Sequence, residues 1–314
     1  NNQAGATVTK TSAGPSSFTE NITFNNNGGT LTIVAGTLDF AGTGGLNMTA
    51  GTLTGAGNLA ITSSLVWSGG SITGSGINGL GTLAVSTAVD ASAISVNIGT
   101  FVIQNGGTWN QVTATLPGFA ATDFQLGGGT FIRALGGDGT AATPYQLADI
   151  YGVQGIGSAG MLGNSYLLAN SVDATGTASW NAGAGFAPIG NATTPFTGNF
   201  DGQNFTVTSM IINRPGVTEV GLFGASGGTI SNVGLLGGSV SGGSANVGGL
   251  VGWNTSTGTI SSSYNTGTVT GALDNTGGLV GFNEGSISGS HATGNVTGAQ
   301  WGAGGFVGVN GVAG

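Results

Sequence analysis

The side chains that carry most enzyme chemistry are scarce in this sequence. There is one histidine, His291, and no cysteine, and three cations, Lys10, Arg133 and Arg214. The eleven carboxylates are Glu20, Asp39, Asp90, Asp123, Asp138, Asp149, Asp173, Asp201, Glu219, Asp274 and Glu284. Acid–base or nucleophilic catalysis needs a convergent set of such groups. A Ser-His-Asp arrangement would have to use His291. Comparison of Ser-Ser-Tyr-Asn-Thr-Gly with Gly-Ser-His-Ala-Thr-Gly puts that residue where an earlier stretch has Tyr264. A slot that exchanges Tyr for His reads as the outer rim of a repeated unit, not as a base. No two carboxylates lie within five residues of one another. They would meet only by stacking on successive strands, about 4.8 Å apart, and β-elimination of acidic polysaccharides also wants cations. The expectation is a protein that is not an enzyme.

Metal and cofactor chemistry fare no better. One His and no Cys leave no ordinary zinc site. Gly136-Gly137-Asp138-Gly139 is a single Gly-Asp fragment with too few oxygens for calcium, and turn chemistry accounts for it. Asp201, in Phe-Asp-Gly-Gln, is expected to bond its own turn backbone. No Gly-Lys-Ser/Thr accompanies the glycine-rich stretches, so no phosphate loop is expected. No cofactor and no metal are expected. Trp67, Trp109, Trp180, Trp253 and Trp301 would stack on sugars if exposed, or fill a core if not. Thr30/Thr32, Thr52/Thr54, Thr206/Thr208 and Thr268/Thr270 are Thr-x-Thr pairs without one fixed spacing, which fits outward-facing strand threonines.

Composition narrows the class. Of 314 residues 67 are Gly and 6 Pro; 39% are hydrophobic, only 4% are charged, and the formal net charge is −8. Mean hydropathy is +0.27. Disordered chains are poor in hydrophobic residues and rich in charge, the reverse of this one. Collagen needs Gly at every third position. No window of about 18 residues is free of Gly and polar residues, so no membrane-spanning helix is expected. Without a basic stripe, neither nucleic acid nor direct membrane insertion is expected.

What positions the few reactive groups is a repeat. Gly221-Leu222-Phe223-Gly224, Gly249-Leu250-Val251-Gly252, Gly278-Leu279-Val280-Gly281 and Gly305-Phe306-Val307-Gly308 follow one another at intervals of 28, 29 and 27 residues. Ile230, Ile260 and Ile287 keep step, as do Val240, Val269 and Val296, and Asn254, Asn283 and Asn310. Each unit holds about three short runs of alternating apolar residues between Gly, Ser, Thr and Asn. Such runs are strands, and the punctuation marks corners. Repeated strands in step make one coil of a parallel β-helix per unit. The Ile and Val positions then stack inside, and the Asn positions form an amide ladder. No Gly-free helical stripe runs for about ten residues, so helix should be nearly absent.

The expected fold is therefore all-β, a right-handed parallel β-helix (β-solenoid). Residues 1–135 form Gly-Thr-Leu solenoid repeats, 136–216 an irregular solenoid segment leading into the repeats, and 217–314 the four-copy array. The chain reads as a piece of something longer. Its last coil, from Trp301, has no charge or Pro to cap it, so it is expected to continue or to dock on a neighbour instead of standing as an isolated monomer.

The four Gly-Leu-hydrophobic-Gly units resemble the GLUG-motif repeats of large bacterial surface proteins. The preceding Pro144-Tyr145-Gln146-Leu147, Phe186-Ala187-Pro188-Ile189-Gly190 and Phe196-Thr197-Gly198-Asn199-Phe200-Asp201-Gly202 are similar to the segment that leads into such repeats in filamentous-haemagglutinin-type adhesins. No Asn-Pro-containing secretion domain of that family is visible. The resemblance implies a structural and adhesive segment of a secreted bacterial protein, extracellular or at the cell surface, forming a rod or fibre. Its partners would be itself, through end-to-end or filament contacts, or the glycans and proteins of a neighbouring or host cell. The alternatives are a carbohydrate-binding or polysaccharide-degrading β-helix and a self-assembling filament or sheath subunit.

Overall fold

A computed structural model describes residues 1–74, 76–298 and 301–311. The chain divides into two compact units, Asn1–Arg133 and Ala134–Gly314. Both are built almost wholly of short parallel strands joined rung upon rung, as in a β-solenoid.

In the first unit alternate apolar residues of the strands point inward and stack on their counterparts in the next coil. Leu65 lies over Leu83, Leu83 over Phe101 and Phe101 over Phe124. All four are fully buried. Coil length along this column varies, at 18, 18 and 23 residues. Solenoids tolerate this because extra residues leave through the corners while the rungs stay paired. The wider coils need larger filling. Phe101 stacks on Phe124 at 5.5 Å, and Trp109, Phe119 and Phe131 meet Phe101 edge-on at 5.2–5.7 Å.

In the second unit the segment 136–216 and the repeats 217–314 share sheets. Tyr166 pairs with Phe200, Phe200 with Ile230, Ile230 with Ile260 and Ile260 with Ile287, so the isoleucine column continues back into the irregular segment. The valine column likewise begins at Ile212 and runs through Val240 and Val269 to Val296. Helix is confined to this irregular segment among the described residues: Ile150–Gly155, the 3-10 turn Thr175–Ser179 and the short Trp180–Gly183. Asp149 caps the first of these by accepting from the Gly152 amide at 3.0 Å.

A repeat coil is more finely divided than three runs. Val247–Gly248, Val251–Asn254, Thr259–Ser261, Tyr264–Asn265 and Thr268–Gly271 are five strands, each in its own sheet. The additional pieces are two residues long, too short for alternation to reveal.

The GLUG-like motif has a geometric reason. Its Leu222, Leu250 and Leu279 are fully buried. The closing glycine lies beneath the neighbouring strand's backbone: a Cβ on Gly281 would stand 2.5 Å from both the Asn246 carbonyl carbon and the Val247 nitrogen. Only glycine permits that approach.

Candidate interaction surface

The side chains singled out for chemistry do not converge. Asp90, Asp138, Asp173 and Asp201 each accept the backbone amide two residues on, from Ser92 at 3.1 Å, Thr140 at 3.0 Å, Thr175 at 2.9 Å and Gln203 at 2.9 Å. These are Asx turns, as expected for Asp201. At Asp138 the hydroxyls of Thr140 and Thr143 add further bonds. Chiefly through Thr143, they lower its pKa from 3.8 to about 2. Among the described residues no group of three or more His, Asp or Glu is placed to hold a metal ion.

His291 pairs with Tyr264 one coil earlier, and the two rings stack at 5.2 Å and 9°. The Tyr264 ring in turn lies directly over the Cα of Gly234, where any side chain would collide with it. The result is an outward column of two flat rings on a bare backbone step, with His291 exposed at its end.

The tryptophans divide. Trp67, Trp109 and Trp180 are core residues, at most 1% exposed. Trp253 is half-buried on the outside of a repeat coil, its indole N–H donating to Glu284 at 2.9 Å and its ring 6.5 Å from Phe282. Trp301 is 80% exposed.

Inside, the asparagines form the expected ladder. Asn254 Nδ2 donates to Asn283 Oδ1 at 2.7 Å, and Asn283 Nδ2 to Asn310 Oδ1 at 2.7 Å. A second ladder joins Asn275 to Asn246 Oδ1 at 2.8 Å. The first repeat has Ser226 in the slot of Asn254, and Asn254 Oδ1 is buried without a partner.

The threonine pairs of the first unit do line up, although their sequence spacing varies. Thr7, Thr30 and Thr52 occupy successive rungs followed by Ser71, and Thr9, Thr32 and Thr54 form the parallel rank. Thr73 extends the second rank through a 3.1 Å bond to Thr54 Oγ1.

Two cations carry structural roles that sequence reasoning did not assign. Lys10, 8% exposed, stands in an inward position above Ile33. Its ammonium donates to Ser12 O, Ser12 Oγ and Gly14 O at 2.6–2.8 Å. Arg133, 5% exposed, donates to Gln111 Oε1 and lies 5.4 Å from the centre of the Phe119 ring. Their rarity in so uncharged a chain is the only signal that the sequence carried.

The model of the GLUG motif matches residues 243–270 and 274–297. Over 104 residues, 31% of this chain, the sequence is 44% identical to halomucin of Haloquadratum walsbyi (strain DSM 16790 / HBSQ001). The matched stretch is 1% of halomucin's length, so the chain corresponds to a very small part of that protein. No solved structure matches. The chain is a repeat protein that carries GLUG motifs and is similar, over about a third of its length, to halomucin.

Proposed function

We propose that the chain is an extracellular structural and adhesive segment of a surface protein, which holds a partner on the outer faces of its coils and carries out no reaction. The observation that carries this reading is the repeat stack itself. Its interior is closed by an aligned Ile column and an amide ladder. Asp201, just ahead of the stack, bonds its own turn, and Glu284 within it accepts from the Trp253 indole N–H. A solenoid of this kind gains length with every added repeat, which suits a spacer or fibre. The GLUG motifs and the similarity to halomucin support a place at the cell surface. The finer assignment, to bacterial adhesins of the filamentous-haemagglutinin type, rests on the resemblance of residues 144–202 to the segment preceding such repeats.

The partner is a glycan or protein of a neighbouring surface, or a second copy of the chain. The outward Trp301 and the Trp253–Phe282 pair favour a carbohydrate-binding version of this reading, because aromatic faces stack on sugars. Incubating the chain with a panel of neutral and acidic polysaccharides tests it. Retention of one or more without new reducing ends or unsaturated products is the expected result. Steady release of such products, abolished by His291→Ala or a carboxylate substitution, would replace the adhesive reading with an enzymatic one.

A further inference from the structure

One face of the first unit is interrupted. The strands Ser64–Trp67 and Thr82–Val85 belong to consecutive coils and pair over all four residues. The junction holds as far as Ser86, whose amide donates to Trp67 O at 2.9 Å. Around the next corner the same two coils part. Ser71–Ile72 pairs back with Thr52 and Leu53, and Ala88–Asp90 pairs forward with Thr108–Asn110. The two strands lie in different sheets, and among the described residues no backbone hydrogen bond joins them. Between them lies a cavity of about 310 Å³, with Trp67, Ile72, Val89 and Ile94 in its lining and Asp90 among its polar groups.

We propose that this gap is a binding site for a short extended peptide of polar–aliphatic–basic sequence, which enters as an added rung. Two strand edges that lack a neighbour offer N–H and C=O groups to an incoming strand, the general mode of β-strand addition. The rungs of this face show what fits. Thr30-Leu31-Thr32, Thr52-Leu53-Thr54, Ser71-Ile72-Thr73 and Ala88-Val89-Asp90 all bury the middle residue and turn the flanking ones outward. An added rung therefore needs an aliphatic centre for the apolar lining and polar flanks. Charge selects the third position. Asp90 is exposed, and one oxygen accepts from the Ser92 amide at 3.1 Å. Hydrogen bonding to Ser92 lowers its pKa, so it is a carboxylate at neutral pH. In a parallel rung the third residue lies beside it, and a lysine there meets an opposite charge. This inference goes beyond the adhesive reading and does not depend on it.

Hydrogen–deuterium exchange of the full chain tests the proposal, with the capped peptide Gly-Ser-Gly-Thr-Val-Lys-Gly-Ser-Gly as the probe. At saturating peptide, exchange is expected to slow about tenfold at the Ile72, Ala88 and Asp90 amides, which alternate toward the gap, as one added hydrogen bond each implies. The Thr73 amide already donates to Leu53 O at 2.9 Å and should not change. Exchange at residues 229–231 should not change. Ala93→Trp, at an exposed position in the cavity lining, should abolish the protection while exchange elsewhere shows an intact fold. The Lys peptide should bind about threefold tighter than its Thr-Val-Thr analogue, and Asp90→Asn should remove that preference. No slowing at millimolar peptide would overturn the proposal. So would protection that survives Ala93→Trp, equal affinity for the two peptides, or protection by maltohexaose or chitohexaose where the peptide gives none.

Discussion

Asn254 and Asn283, 29 residues apart in the chain, are bonded side chain to side chain inside the second unit, Nδ2 to Oδ1 at 2.7 Å. The bond couples consecutive coils through a buried amide, and Asn283 passes it on to Asn310 and also donates to Gly285 O at 3.1 Å. Buried amides bonded from coil to coil specify register, because a slip of one residue breaks each of these bonds. Asn283→Ala removes the acceptor of Asn254 and the donor to Asn310. It is expected to destabilise the second unit by about 2–3 kcal/mol in urea unfolding. A loss below about 0.5 kcal/mol would show that the ladder contributes little.

Thr276 carries a buried hydroxyl without a hydrogen-bond partner. One coil earlier the same slot is Val247. Thr276→Val keeps the shape and removes the unsatisfied group, so it should raise stability by about 1 kcal/mol. A clear decrease would point to a polar neighbour at that hydroxyl.

Ile260 is fully buried between Ile230 and Ile287. Ile260→Asp places a charge there with no partner and should cost about 4 kcal/mol or more, whereas Ile260→Val costs about 1 kcal/mol. Thermal unfolding of both variants separates these outcomes, and an unchanged midpoint for Ile260→Asp would refute the column.

His291 is an exposed ring at the end of a stack on Tyr264. His291→Ala should leave the fold in place, with a loss of about 1 kcal/mol or less from the ring contact. Binding to any retained polysaccharide should survive, since nothing convergent surrounds the imidazole. Equilibrium binding of the variant checks this, and a loss of more than tenfold would give His291 a direct role.

The turn at Asp138 has a defined acid limit. Its carboxyl pKa is lowered from 3.8 to about 2, first by the Thr143 hydroxyl and then by the Thr140 amide and hydroxyl. A lowered pKa means that the stabilising contribution is fully present above the unfolded value of 3.8 and is lost as pH falls through about 2. The Asp138 carboxyl carbon, followed by NMR from pH 6 downward, should titrate near 2. A midpoint near 3.8 would mean that those bonds do not hold in solution.

The repeat frame was legible because its coils are nearly constant in length. Ile260 and Asn254 find their counterparts by counting, and the structure stacks them where counting puts them. The first unit defeated counting. Thr30, Thr52 and Ser71 are neighbours in space at spacings of 22 and 19 residues, because corners absorb the difference. Tryptophan burial was equally illegible. Trp67 and Trp253 both sit in alternating runs, and only the folded coil decides which face turns inward. The gap beside Asp90 left no mark, since it arises where two paired coils diverge around a corner.

The central claim is that this stack of coils binds a surface and does not transform it. Beads coated with the chain, flowed over cells or over surfaces bearing immobilised glycans or proteins, test that claim most directly. The account predicts shear-resistant capture that unfolding through Ile260→Asp abolishes and His291→Ala preserves. Capture no better than that of uncoated beads across all the surfaces, or capture retained by the unfolded Ile260→Asp chain, would contradict it.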